Sequence, residues 1–125
     1  MTILVRCSDP RIQKYLEEVG VGNKTGALKD HAVIGNTGSI KYFMTKNQMQ
    51  DFYEQLDILV NHFHAEKIVL LNHTDCGFYK KLDENKEENY LNDLREVKGL
   101  LLGKYSEVGV EAYLLDTETG DLKEA

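Results

Sequence analysis

Thr2-Ile3-Leu4-Val5-Arg6-Cys7-Ser8-Asp9-Pro10-Arg11 is the stretch from which the fold can be read. Residues 2–6 form a short apolar run with none of the alternation of a half-solvated strand, which predicts a strand buried on both faces. Pro10 fits the first turn of a helix, where its missing N–H is no loss, and Ile12, Tyr15, Leu16 and Val19 follow at helical spacing. Strand, turn and helix therefore succeed one another within the first 19 residues.

The same grammar repeats downstream. His31-Ala32-Val33-Ile34 reads as a second strand after a loop over 20–29, Ile68-Val69-Leu70-Leu71 as a central parallel strand within 66–72, 109–115 as a fourth and 121–123 as a short last one. Between them, Met49, Phe52, Tyr53, Leu56, Val60 and Phe63 mark an apolar helical stripe, opened by a capping box of Thr45 and Gln48. Leu82, Tyr90, Leu94, Val97 and Leu101 mark another across 78–105. Gly35 and Gly38 flank a turn that calls for positive φ or close backbone approach. Strands that alternate with helices predict an open α/β sheet, in which ligands gather at the carboxyl ends of strands beside the point where strand order reverses.

With 125 residues and 42% hydrophobic content, the chain fits one domain, residues 1–125, with a modest core. A chain this short gains appreciably from a bound metal or a subunit partner. The 21 acidic and 15 basic residues leave a net charge of -6, and no Lys/Arg stripe follows a phosphate backbone, so nucleic acid is not an expected partner. No apolar stretch suits a bilayer and no signal peptide is legible, which predicts a cytoplasmic protein without a membrane partner. Two cysteines make a poor disulfide framework, and no Cys-x-x-Cys favours a redox pair.

Two motifs close strands. Cys7 ends the first, and His73-Thr74-Asp75-Cys76-Gly77 follows the third. If those strands are neighbours, two thiolates and an imidazole converge, a set suited to Zn²⁺ that leaves a fourth position open for water or substrate. The competing expectation is that both cysteines are small core residues. Asp9 has two readings as well: a helix N-cap beside a solvated Arg11, or a carboxylate paired with Arg11, its pKa lowered and its direction fixed. Drawn away from Arg11, the same carboxylate would fill the fourth metal position.

Cys7-Ser8-Asp9-Pro10-Arg11 together with His73-Thr74-Asp75-Cys76-Gly77 resembles the β-class carbonic anhydrases, whose pattern is Cys-x-Asp-x-Arg followed by His-x-x-Cys. Ile34-Gly35-Asn36-Thr37-Gly38 is similar to the family's strand ending in Arg-Asn-Ala-Gly, and Leu115-Asp116-Thr117-Glu118-Thr119-Gly120-Asp121-Leu122 to its C-terminal strand, turn and strand. The resemblance implies four parallel strands in the order 2-1-3-4 with a fifth antiparallel strand and helices on both faces. It implies one Zn²⁺ per chain on Cys7, His73 and Cys76, with Asp9 and Arg11 as the catalytic dyad that orients a zinc-bound hydroxide. The implied reaction is reversible hydration of CO₂ to bicarbonate. The implied partner is a second copy of the chain, in a homodimer or higher homo-oligomer, with part of the substrate pocket coming from the neighbour. Gly77 is placed near the bound oxygen.

Departures from the pattern qualify these expectations. Pro10 replaces a small Ser or Ala, Asn72 stands in place of a Gly, and Gly35 stands where the family's Arg precedes Asn-Ala-Gly. Regulated members use that Arg, with a Trp at the position held here by Leu4, to bind a non-catalytic bicarbonate; no such inhibitory site is expected. The sequence begins at its first strand, without the family's N-terminal helices, so the usual interface is expected to be incomplete. Two alternatives follow: a catalytically weak or inactive zinc-binding or regulatory domain of the same fold, and a CS₂ or COS hydrolase on the same metal.

Overall fold

The computed structural model describes residues 1–125. Strands β1 (Thr2–Cys7), β2 (His31–Asn36), β3 (Lys67–His73) and β4 (Gly109–Leu115) are parallel, and β5 (Leu122–Glu124) pairs antiparallel with β4, in the sheet order β2-β1-β3-β4-β5. The open α/β sheet is the one read from the alternating pattern, and its strand order is the one the family resemblance implies. The chain leaves β1 for one neighbour, β2, and then returns to place β3 on the other side. Thr2 faces Lys67 and Val5 faces Leu70, so Cys7 and His73 leave the sheet side by side at its reversal point.

Apolar runs such as Ile3-Leu4-Val5 arise because helices cover both faces. Ile3, Val5 and Cys7 pack with Ile68, Leu70, Ala112 and Leu114 under helices α3 (Ile40–Thr45), α4 (Met49–Phe63), α5 (Gly77–Lys81) and α6 (Glu87–Lys104). Leu4, Val69, Leu71, Tyr113 and Leu115 face the other way, under a 3₁₀ turn (Pro10–Ile12), α1 (Gln13–Leu16) and α2 (Val19–Thr25). Each fully buried Leu or Ile on these faces contributes about 1.5–3 kcal/mol relative to exposure.

Four local expectations are corrected. Residues 20–29 are not all loop: α2 runs Val19–Thr25 and ends on Gly26 at φ +79°. Its Gly22 packs against Leu28, whose Cγ would lie 2.4 Å from an added Cβ, so close packing rather than a turn accounts for that glycine. The helical period of Ile12 to Leu16 also fails to reach Val19, which is 73% exposed because the chain is extended at Glu18 and begins a new helix there. The Thr45 and Gln48 capping box is absent: Thr45 closes α3, and Gln48 caps α4 without a side-chain bond, its N–H going instead to Phe43 O at 2.8 Å. Finally, the 78–105 stripe belongs to two helices, broken where Asp83 takes φ +56°.

Candidate metal centre

Cys7 ends β1, His73 ends β3 and Cys76 opens α5, and their ligand atoms all lie within 4.8 Å of one another. The three residues are buried, at 4%, 1% and 2% exposure, and both thiols are free. His73 Nδ1 lies 2.8 Å from Thr74 O. A carbonyl only accepts, so Nδ1 carries the hydrogen and Nε2 turns a lone pair into the cluster. Nε2 is buried with no hydrogen-bond partner. An orphaned imidazole nitrogen facing two thiols is costly in a bare protein and is what a soft or borderline divalent metal satisfies. The donor set therefore fits a metal ion.

The surroundings favour thiolate. Gly38 N–H donates to Cys7 Sγ at 3.3 Å. The Cys7 thiol is drawn below its ordinary range, first by its neighbour Cys76 and further by the Gly38 N–H, against the opposing effect of burial, and the Cys76 thiol is correspondingly pushed up. Gly38 has φ +87°, and a Cβ there would lie 2.6 Å from the Phe78 ring, so conformation and space both require glycine. The sequence expectation of positive φ or close approach thus holds at Gly38 and not at Gly35, which has neither.

Asp9 fills both of its anticipated roles. Its Oδ1 accepts the Arg11 N–H at 2.8 Å as the N-cap of the turn begun by Pro10. The Arg11 guanidinium also grips both carboxylate oxygens, with Nη2 to Oδ2 at 2.7 Å and Nε to each oxygen at 3.1 Å. These bonds hold the Asp9 carboxyl below its ordinary range. Asp9 faces Arg11, with Oδ2 3.7 Å from His73 Nε2.

Sequence reasoning did not anticipate Asp75. Arg11 Nη1 donates to Asp75 Oδ2 and Nη2 to Asp75 O, each at 2.8 Å, which staples the loop after β1 to the loop after β3. Lys80 pairs with the other Asp75 oxygen, and the two cations push the carboxyl down to about 2, Lys80 contributing more. Tyr90 was also missed in this role: its hydroxyl accepts the Cys76 N–H at 3.0 Å and donates to Asn85 at 2.6 Å. The available signal was chemical, since a tyrosine on a buried helical face needs a partner for its hydroxyl.

Over the cluster opens a cleft of about 400 Å³ lined by Cys7, Asp9, Arg11, Thr37, Cys76 and Gly77. A Cβ at Gly77 would meet nothing, so no protein atom demands that glycine. A larger cleft of about 590 Å³, between Val60, His64, Glu66 and Tyr105, lies at the amino ends of β3 and β4, away from these groups. Cys7, Cys76, Asp9 and Arg11 line the smaller one.

A carbonic anhydrase family model matches residues 2–108. A search of curated proteins gave no match. Among solved structures, carbonic anhydrase from Streptococcus mutans superposes with a TM-score of 0.64 at 21% identity, covering 98% of this chain and 80% of that one. One of two tetrameric β-carbonic anhydrases from Sordaria macrospora gives 0.56 at 16% identity, covering 98% and 79%. An apo carbon disulfide hydrolase gives 0.55 at 17% identity, covering 98% and 76%. The span of the family match, on a sheet ordered β2-β1-β3-β4-β5, makes this chain a member of the carbonic anhydrase family with the fold of its β class.

Proposed function

We propose that residues 1–125 form a single zinc domain that catalyses the reversible hydration of CO₂ to bicarbonate. The observation that carries this is the orphaned His73 Nε2 set among two thiols, with the Arg11-bound Asp9 carboxylate 3.7 Å away. Cys7, His73 and Cys76 would hold one Zn²⁺. The metal would supply a Lewis acid that brings the pKa of a water from about 15.7 to about 7.

The remaining steps belong to the chain. Net hydration joins one water oxygen to the carbon of CO₂ and releases one proton. Asp9, kept ionised by Arg11, can only accept a hydrogen bond and is too weak a base to store that proton near neutral pH. Its role is to orient the attacking oxygen. Arg11 fixes the carboxylate's direction, and through Asp75 it ties that direction to the loop carrying His73 and Cys76. His73 presents its Nε2 lone pair because Thr74 O holds the Nδ1 hydrogen.

A homo-oligomer and a cytoplasmic location complete the proposal. The tetrameric β-carbonic anhydrases among the matched structures support the first, and no helix here is long and apolar enough to cross a membrane. Hydrolysis of CS₂ or COS is the second reading, supported by the matched carbon disulfide hydrolase.

Metal analysis and stopped-flow CO₂ hydration on one purified sample, with Cys7→Ser as control, test the proposal. About one zinc per chain and a rate that rises between about pH 6 and 9 are expected. Zinc-loaded protein that is inert towards CO₂ over that range overturns it, and sulfide release from CS₂ by the same sample would favour the second reading.

A further inference from the structure

Behind the metal-ligand loops, on the side away from the cleft, lies a buried polar chain that the proposed reaction does not use. Lys41 on α3 is 8% exposed, and its ammonium lies 2.9 Å from Asp93 of α6 and 3.0 Å from Glu84. Asp93 Oδ2 accepts the Tyr79 hydroxyl at 2.9 Å, and that hydroxyl in turn accepts Asn72 Nδ2 at 3.1 Å. Asn72 also donates to Tyr90 O at 3.4 Å, and the Tyr79 and Tyr90 rings pack with centroids 4.2 Å apart. Lys41, Asp93, Tyr79 and Asn72 are each bonded to the next along this path, and connected buried networks of this kind rigidify their surroundings.

Each end of the chain touches the metal loops. Asn72 immediately precedes His73. Tyr79 lies in the helix that Cys76 opens, and its ring packs on Tyr90, whose hydroxyl accepts the Cys76 N–H at 3.0 Å, so fixing the Tyr79 side chain fixes the backbone that carries that thiol. At the other end, Lys41 N–H donates to Gly38 O at 3.0 Å, and Gly38 N–H donates to Cys7 Sγ. Neither Lys41, Tyr79 nor Asp93 lines the cleft. A buried ion pair is weak evidence for stability, because desolvation offsets its attraction, but it holds direction well.

We propose that the Lys41 and Asp93 pair, acting through Tyr79 and Asn72, is a positioning device that holds the thiol of Cys76 and the imidazole of His73 in metal-binding geometry. This rests on the reading of Cys7, His73 and Cys76 as metal ligands. Groups that orient ligands in this way typically change metal affinity by about 10- to 100-fold when removed.

The test measures affinity of the full chain for zinc by competition with a chromophoric chelator, and the thiolate-to-cobalt absorption of the Co²⁺ form. Tyr79→Phe keeps the ring on Tyr90 and removes one oxygen; it should weaken zinc by about 10-fold or more and shift the cobalt band. Lys41→Met should do the same, Lys41→Arg should restore most of the affinity, and Tyr79→Phe added to Lys41→Met should cost little more. Asp93→Asn, which keeps an acceptor for Tyr79 and loses the charge, is the alternative should Tyr79→Phe fold poorly. Tyr105→Phe is the control: it removes another tyrosine-to-carboxylate bond, to Asp57, far from the cluster, and should lower stability without changing zinc affinity. Wild-type zinc binding that Tyr79→Phe and Asp93→Asn both leave within about threefold overturns the positioning role alone. A wild-type chain that binds no zinc overturns the metal reading and this proposal with it.

Discussion

The loop after β1 and the loop after β3 meet over one cleft and are held by opposite means. Asp9 and Arg11 are fixed by charge at the water's edge, Arg11 with its side chain 47% exposed. His73 and Cys76 are fixed in the dry interior by neutral acceptors, Thr74 O and the Tyr90 hydroxyl. The difference is what the proposed roles require. A metal ligand needs a set position and a low local dielectric, which burial and complete hydrogen bonding supply. A group that orients an incoming oxygen must meet solvent, and there only a bidentate ion pair gives direction.

Breaking the interior half should have the largest effect. Cys76→Ser is expected to lower zinc affinity by more than about 100-fold and to abolish CO₂ hydration, as measured by metal analysis and stopped flow. The rim half separates activity from metal. Asp9→Ala should reduce hydration by about 100- to 1,000-fold with zinc still bound, and should cost about 1 kcal/mol of stability for the lost cap. Asp9→Asn keeps a cap oxygen and loses the charge, so hydration should fall while stability at neutral pH falls less; equal stability losses would mean that the cap is not what Asp9 contributes.

The rim should also respond to acid. Arg11 depresses the folded pKa of Asp9 below its ordinary 3.8. Its stabilisation is therefore fully present above that ordinary value and is lost as pH falls through the lower folded one. Urea unfolding of apo protein at stepwise lower pH should show a wild-type decline below about pH 4 that is smaller in Asp9→Asn. The smallest expected effect is at the staple between the halves. Asp75 is half-exposed and shares two cations, so Asp75→Asn should change hydration less than about threefold, and the change should shrink as salt is raised. A larger, salt-insensitive loss would make the staple part of the interior machinery and blur the division.

Local composition misled where packing overrode it. Gly20, Gly22 and Gly26 look like a loop, yet Gly22 is inside α2 because Leu28 leaves no room for a side chain, and Gly26 ends that helix. Thr45 and Gln48 satisfy a capping pattern that the tight connection between α3 and α4 does not use. The stripe across 78–105 reads as one helix, whereas Asp83 takes a positive φ and α6 begins only at Glu87.

By itself the sequence determined the sheet. A run such as Ile68-Val69-Leu70-Leu71 is stable only where both faces are covered, and strands that alternate with helices can be connected only by crossovers of one hand. It also named Cys7, His73 and Cys76 as side chains at strand ends, and the fold brings all three within 4.8 Å. Only the tertiary structure decided which way Asp9 faces, and that Asp75 and Lys80 share its guanidinium partner or join that partner's other carboxylate. Only it linked Lys41 to Asp93, Tyr79 and Asn72, four residues on four elements. Periodicity records which side of an element is apolar. Partners from different elements are chosen by distance, and distance exists only once the sheet has closed its helices over them.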